Sequence, residues 1–140
     1  MIDHVSLAVR DLAQAEAFYT ALLAPLGMAK LREWPGAAIG FGKKYPEFWI
    51  NRRDAMVRIP QDSGVHICLR APDTNAVDAF HAAALKSGGV SDGAPGPRKQ
   101  YHDGYYGAFV CDPDGNRIEA VTFLPNDNNR RQCDTRWVDR

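Results

Sequence analysis

The sequence carries no surplus of charge of either sign: Lys plus Arg and Asp plus Glu each number 17, for a formal net charge of zero. A protein that grips a polyanion needs a basic excess, so nucleic acid is not an expected partner. No apolar run approaches the ~20 residues that span a bilayer. The opening Met1-Ile2-Asp3-His4-Val5 reads as a strand, without the basic and apolar stretches of a secretory signal. A cytoplasmic protein without membrane association is expected. Cysteine is scarce, too. Cys68, Cys111 and Cys133 are odd in number and have no Cys-x-x-Cys spacing, a pattern that fits neither a disulfide framework nor a thiolate zinc site.

What is present is a core and a repeat. Apolar residues make up 45% of 140 residues, enough for one compact domain or two small units sharing a core. Placing His4 on His66 aligns HVSLAVRDLAQAEAFYTALLAPLGM (4–28) with HICLRAPDTNAVDAFHAAALKSGGV (66–90). Leu7 then meets Leu69, Asp11 meets Asp73, Phe18 meets Phe80 and Gly27 meets Gly89. A strand pattern and a helix pattern recur in the same order.

Each copy reads as a strand (3–9 and 65–71), then a helix capped by Asp11 or Asp73 and stopped by Gly27 or Gly88-Gly89. Three short strands follow in each: about 28–33, 37–42 and 47–51, then about 98–102, 105–111 and 117–123. The expected architecture is α+β, a single domain over 1–124 made of two tandem βαβββ modules (1–58 and 63–124). A pseudo-twofold cleft lies between the modules, and a polar tail covers 125–140. Cys111-Asp112-Pro113-Asp114-Gly115-Asn116 lacks the spacing of a calcium loop and reads as a tight turn between strands.

Strand alternation puts Val5 and Leu7, like Ile67 and Leu69, on the helix side, which turns His4 and His66 toward the cleft. Glu119 sits in the apolar run Ile118–Phe123, where a carboxylate needs a partner or a metal. Two imidazoles and one carboxylate form a three-ligand set with open positions, suited to a divalent iron, manganese, zinc or nickel ion. In the repeat Trp49 stands where Glu119 does, so it walls the pocket instead of binding metal. Cys68 shares the cleft face with His66 and reads as a small packing residue, and His81 as a structural one. Tyr101-His102-Asp103-Gly104-Tyr105-Tyr106 concentrates proton-carrying side chains: His102 is a candidate general acid/base, with Tyr101 and Tyr106 beside it. Arg70 and Tyr105 are candidate substrate contacts.

With these residues in view, the chain resembles the vicinal oxygen chelate superfamily of glyoxalase I, bleomycin resistance proteins, fosfomycin resistance thiol transferases and extradiol dioxygenases. IDHVSLAVRDLAQAEAFY, GVHICLRA and FVCDPDGNRIEAV carry the resemblance, which covers nearly all of residues 1–124. It implies the same ligands, His4, His66 and Glu119, and a homodimer. The glyoxalase I pattern has a further ligand where this chain has Trp49, so the set is closer to the dioxygenases and fosfomycin transferases. The leading expectation is a metal-dependent enzyme acting on a small substrate that chelates through adjacent oxygens, by dioxygenation or by lyase or isomerase chemistry. The alternative is a metal-free protein that sequesters a drug-like ligand.

Overall fold

A computed structural model of the protein describes residues 1–125; apart from Pro125, the expected tail, with Cys133, falls outside the described residues. The first module runs β1 (Val5–Val9), α1 (Leu12–Leu23), a 3-10 turn (Ala24–Leu26), β2 (Ala29–Trp34), β3 (Ala38–Gly42) and β4 (Phe48–Arg52). The second runs β5 (His66–Arg70), α2 (Thr74–Lys86), β6 (Val90–Pro97), β7 (Tyr105–Cys111) and β8 (Arg117–Phe123). Each module folds its own four-stranded sheet, in the orders β1-β4-β3-β2 and β5-β8-β7-β6. The outer pairs β1–β4 and β5–β8 are parallel and the rest antiparallel. The expected βαβββ repeat is therefore the observed one.

Local chemistry sets the elements. Asp11 accepts the Gln14 backbone N–H at 3.0 Å and Asp73 that of Ala76 at 2.8 Å, so both helices start on a carboxylate cap. Gly27, at φ 79°, turns the chain out of the 3-10 segment where a Cβ would be strained. Phe18, Tyr19, Leu22 and Leu23 of α1 and Val77, Phe80 and Ala84 of α2 bury into one core with Ile39, Phe41, Ile50, Val110, Ile118 and Ala120. The helices pack against each other, so it is their faces that the modules share.

One strand differs from expectation. Residues 98–102 form the turn before β7, and the strand lies at Val90–Pro97. The segment VSDGAPGP reads as loop because glycine and proline weaken a ladder, but β6 is an edge strand whose pairing with β7 shifts register twice, which tolerates both. Arg98 then folds back on it, donating to the carbonyls of Ala94, Gly96 and Pro97.

The turn 111–116 ties the modules together. Asp112 is buried and accepts four bonds: from Tyr19 Oη (2.7 Å), Asn116 Nδ2 (2.8 Å) and the backbone N–H groups of Asp114 and Asn116. Asp114 accepts from Arg10 Nε at 2.7 Å, and Asn116 Nδ2 also donates to the Ala8 carbonyl. Three residues of module two thus hold Ala8, Arg10 and Tyr19 of module one. Burial outweighs these donors and raises the Asp112 carboxyl above the ordinary carboxylate value; burial and the Asp112 charge likewise raise the Tyr19 phenol.

His81 is structural as expected, with Nε2 2.8 Å from Ser91 Oγ. Burial holds its imidazole below the usual 6.5, against an opposing pull from Asp78. The folded state therefore favours neutral His81, and the stability this gives is present above pH 6.5 and lost as pH falls below it. Urea denaturation of wild type and His81→Gln at pH 7.5 and 5.5 checks this: the wild type should lose more stability between the two than the variant.

Candidate functional site

The site is built on the sheet faces turned away from the helices. In β5, Ile67 and Leu69 pack on the core, which leaves His66, Cys68 and Arg70 outward. In β8, Ile118 and Ala120 are core residues, so Arg117, Glu119, Val121 and Phe123 share the outward face. The parallel register sets Cys68 opposite Glu119, and on the other flank Phe109 of β7 stands opposite the same residue. Glu119 is only 2% exposed. His66 Nε2 lies 3.1 Å from Glu119 Oε2.

The other carboxylate oxygen has its own partner. Tyr105 Oη donates to Glu119 Oε1. Cys68, exposed as a residue, stands opposite Glu119 in the ladder; burial of the thiol first, then the Glu119 charge, pushes it up to about 12. Burial and the bond to Glu119 raise the Tyr105 phenol well above its usual value. Sequence reasoning treated Cys68 as packing and missed this contact; its register opposite Glu119 was the available signal.

Around this pair stands an aromatic rim. Tyr101 packs edge-on against Tyr105 at 5.3 Å, and Tyr105 against Phe123 at 5.3 Å. His102 meets Phe123 edge-on at 5.7 Å, and the Arg70 guanidinium lies 4.4 Å over the same ring. Tyr101 is thus linked to Glu119 through one ring, that of Tyr105, and His102 and Arg70 through two, Phe123 and Tyr105. Tyr106 is a correction. Neighbours on a strand face opposite ways, and Tyr106 turns to the helix side, where its hydroxyl donates to Asp78 of α2 at 2.7 Å. It takes no part in the outward face.

The matching face of module one carries Ser6, Trp49 and Trp34. Ser6 pairs with Trp49 as Cys68 pairs with Glu119, so Trp49 does stand in the place of a carboxylate. Its indole donates to the Pro46 carbonyl at 3.2 Å and stacks on Trp34 at 5.2 Å. Gly40 makes room for it: a Cβ there would sit 2.7 Å from Pro46 Cβ and 2.9 Å from the Trp49 ring.

The structure brings His66 and Glu119 together and leaves His4 on the other module, where Nδ1 pairs with Asp3 at 2.7 Å. Among the described residues no three His, Cys, Asp or Glu side chains form a metal-holding group within the chain. The expected meeting of His4 with His66 and Glu119 does not occur in one copy, because the helices face each other and the outward faces do not. His66 and Glu119 still suit a metal: adjacent ligands on an ion at about 2.1 Å stand roughly 3 Å apart, close to the observed spacing. His4, with a side chain 53% exposed, is open to contact from outside its own chain.

No helix among the described residues is long and apolar enough to cross a membrane. Among curated proteins no match is found. A glyoxalase/bleomycin resistance protein from Albidiferax ferrireducens is 30% identical, with a TM-score of 0.71, over 85% of this chain and 95% of that one. FosX, a fosfomycin resistance protein from Listeria monocytogenes, shares the fold at 16% identity and a TM-score of 0.67, over 94% and 97%. That structure, of a variant, holds Mn(II) and 1S,2S-dihydroxypropylphosphonic acid. FosX from Mesorhizobium loti matches at 17% identity and a TM-score of 0.62, over 91% and 94%. The model of the Glyoxalase/Bleomycin resistance protein/Dioxygenase superfamily matches residues 1–120. With that match and the repeated βαβββ sheets, the chain belongs to this superfamily.

Proposed function

We propose that the chain is a metal-dependent enzyme working as a homodimer, in which His66 and Glu119 of one copy and His4 of the other hold a divalent ion. One observation carries this reading: a buried carboxylate sits beside an imidazole at the spacing of neighbouring ligands, while the third candidate donor faces away from them. Placing module one of a second copy against module two supplies that donor and covers both outward faces. Iron, manganese, zinc and nickel all suit two imidazoles and a carboxylate. The ion, when bound, polarises adjacent oxygens of a small substrate.

The chain's own residues do the rest. Arg70 offers a positive charge at the rim, held over Phe123. His102, on the turn beside that ring, is the group placed to carry a proton, with Tyr101 beside Tyr105 at the mouth. Trp49 and Trp34 of the opposing module close the site against water and present a flat apolar wall. Cys68 and Cys111 are free thiols, which suits a reducing cytoplasm.

The stacked indoles favour one second reading, a metal-free binder of a planar ligand. Elemental analysis, Mn(II) and Zn(II) titration and sedimentation separate the two. We expect a dimer with one ion per chain, and at least tenfold weaker binding in His66→Ala. A wild-type dimer that takes up neither ion would leave only the sequestration reading.

A further inference from the structure

Tyr105 read from sequence as a substrate contact, yet its hydroxyl is already committed to Glu119. The backbone is shaped for that bond. Gly107, two residues along β7 on the same face, lies beneath both groups. A Cβ at Gly107 would stand 3.1 Å from Tyr105 Cε1, 3.3 Å from the Ala120 carbonyl and 3.4 Å from Glu119 Oε1. An added Cβ there crowds the Tyr105 ring, which must give by a few tenths of an ångström, and comes into contact with the carboxylate. Tyr105 is also braced by Tyr101 and Phe123, so the hydroxyl is aimed by packing on two sides.

The two oxygens of Glu119 consequently have different surroundings. Oε1 accepts from Tyr105, while Oε2 is the one turned toward His66. We propose that Tyr105 is the positioning residue of the metal centre: it holds Glu119 by one oxygen so that the carboxylate meets the ion through the other alone, and Gly107 is the space this requires. This rests on the metal-binding reading above. Hydrogen bonds to a ligand carboxylate fix its orientation, and their loss typically weakens metal binding 10–100-fold.

The test compares Tyr105→Phe and Gly107→Ala with wild type in the full-length dimer, using Mn(II) titration and the visible absorption spectrum of the Co(II)-loaded protein. Tyr105→Phe keeps the ring and its packing, so the melting temperature should change little. Its Mn(II) affinity should fall about 10–100-fold. Its Co(II) bands should also shift, as the freed Oε1 joins or exchanges with Oε2. Gly107→Ala should give the same spectral change with the hydroxyl still present. A purely structural role would lower the melting temperature of Tyr105→Phe and leave the Co(II) bands in place. Unchanged affinity and unchanged bands in Tyr105→Phe overturn the proposal while leaving the metal centre standing. A wild type that binds neither Mn(II) nor Co(II) overturns both, and that result is separate and visible before any variant is made.

Discussion

Replacing Asp112 with Ala should destabilise the protein by about 3–5 kcal/mol, a large share of the roughly 5–15 kcal/mol that holds a domain of this size. The carboxylate satisfies four donors in a buried place, and its removal takes the shared acceptor from all of them. Two of those donors are backbone groups of the 111–116 turn, so the turn itself loosens, and with it the Asp114–Arg10 pair. Tyr19→Phe removes a single donor from the same carboxylate and should cost about 1–3 kcal/mol. Because Tyr19 lies in α1 and Asp112 at the end of β7, both changes loosen one module from the other. Urea denaturation followed by tryptophan fluorescence in a Trp137→Phe background, where Trp34 and Trp49 of module one are the remaining tryptophans, and by far-ultraviolet circular dichroism provides the measurement. An Asp112→Ala midpoint within error of wild type would show that the turn does not lock the modules.

Mixing two inactive variants should restore metal binding. His4→Ala and Glu119→Ala each remove one ligand from every site, so each homodimer should bind the ion at least a hundredfold more weakly than wild type, roughly 3 kcal/mol per lost ligand. Co-refolded in equal amounts, about half the dimers contain one chain of each kind. In such a dimer one site joins the damaged module one to the damaged module two, and the other site is whole. About a quarter of the wild-type capacity should therefore return with wild-type affinity. If all three ligands came from one chain, every site would still lack one and nothing would return. Calorimetric titration of the mixture, with each homodimer as control, decides between these arrangements.

Much of the fold was legible because the repeat carries it. Matching His4 to His66 and Asp11 to Asp73 foretold two modules, two capped helices and strands β7 and β8 at their observed limits. The parity of β8 placed Glu119 outward, since Ile118 and Ala120 on either side had to be core. Tyr106 went wrong because Tyr105 and Tyr106 are chemically alike and adjacent. Only the pairing of β7 with β8 says which of them shares a face with Glu119. β6 was hidden by its own composition, glycine and proline on an edge. The relation between His4 and the other two ligands was not legible at all. A repeat says that two positions are equivalent within their modules, but the angle between modules is set by contacts such as Tyr19–Asp112, which alternation along a strand does not report.

The turn that locks the modules also sets the order of events at the ribosome. Tyr19 and Asp112 are 93 residues apart, and Arg10 and Asp114 are 104 apart. At synthesis rates of about 5–20 residues per second, α1 waits roughly 5–20 s for its partners to appear. Until then the phenol and guanidinium of the first module have only water to bond, and the apolar side of α1 lacks α2. The first module thus leaves the tunnel as an unfinished surface, and its final burial comes only after β7 has been made. A nascent chain stalled before residues 112–114 leave the tunnel would present that surface to chaperones and proteases, whereas one in which they have emerged closes it.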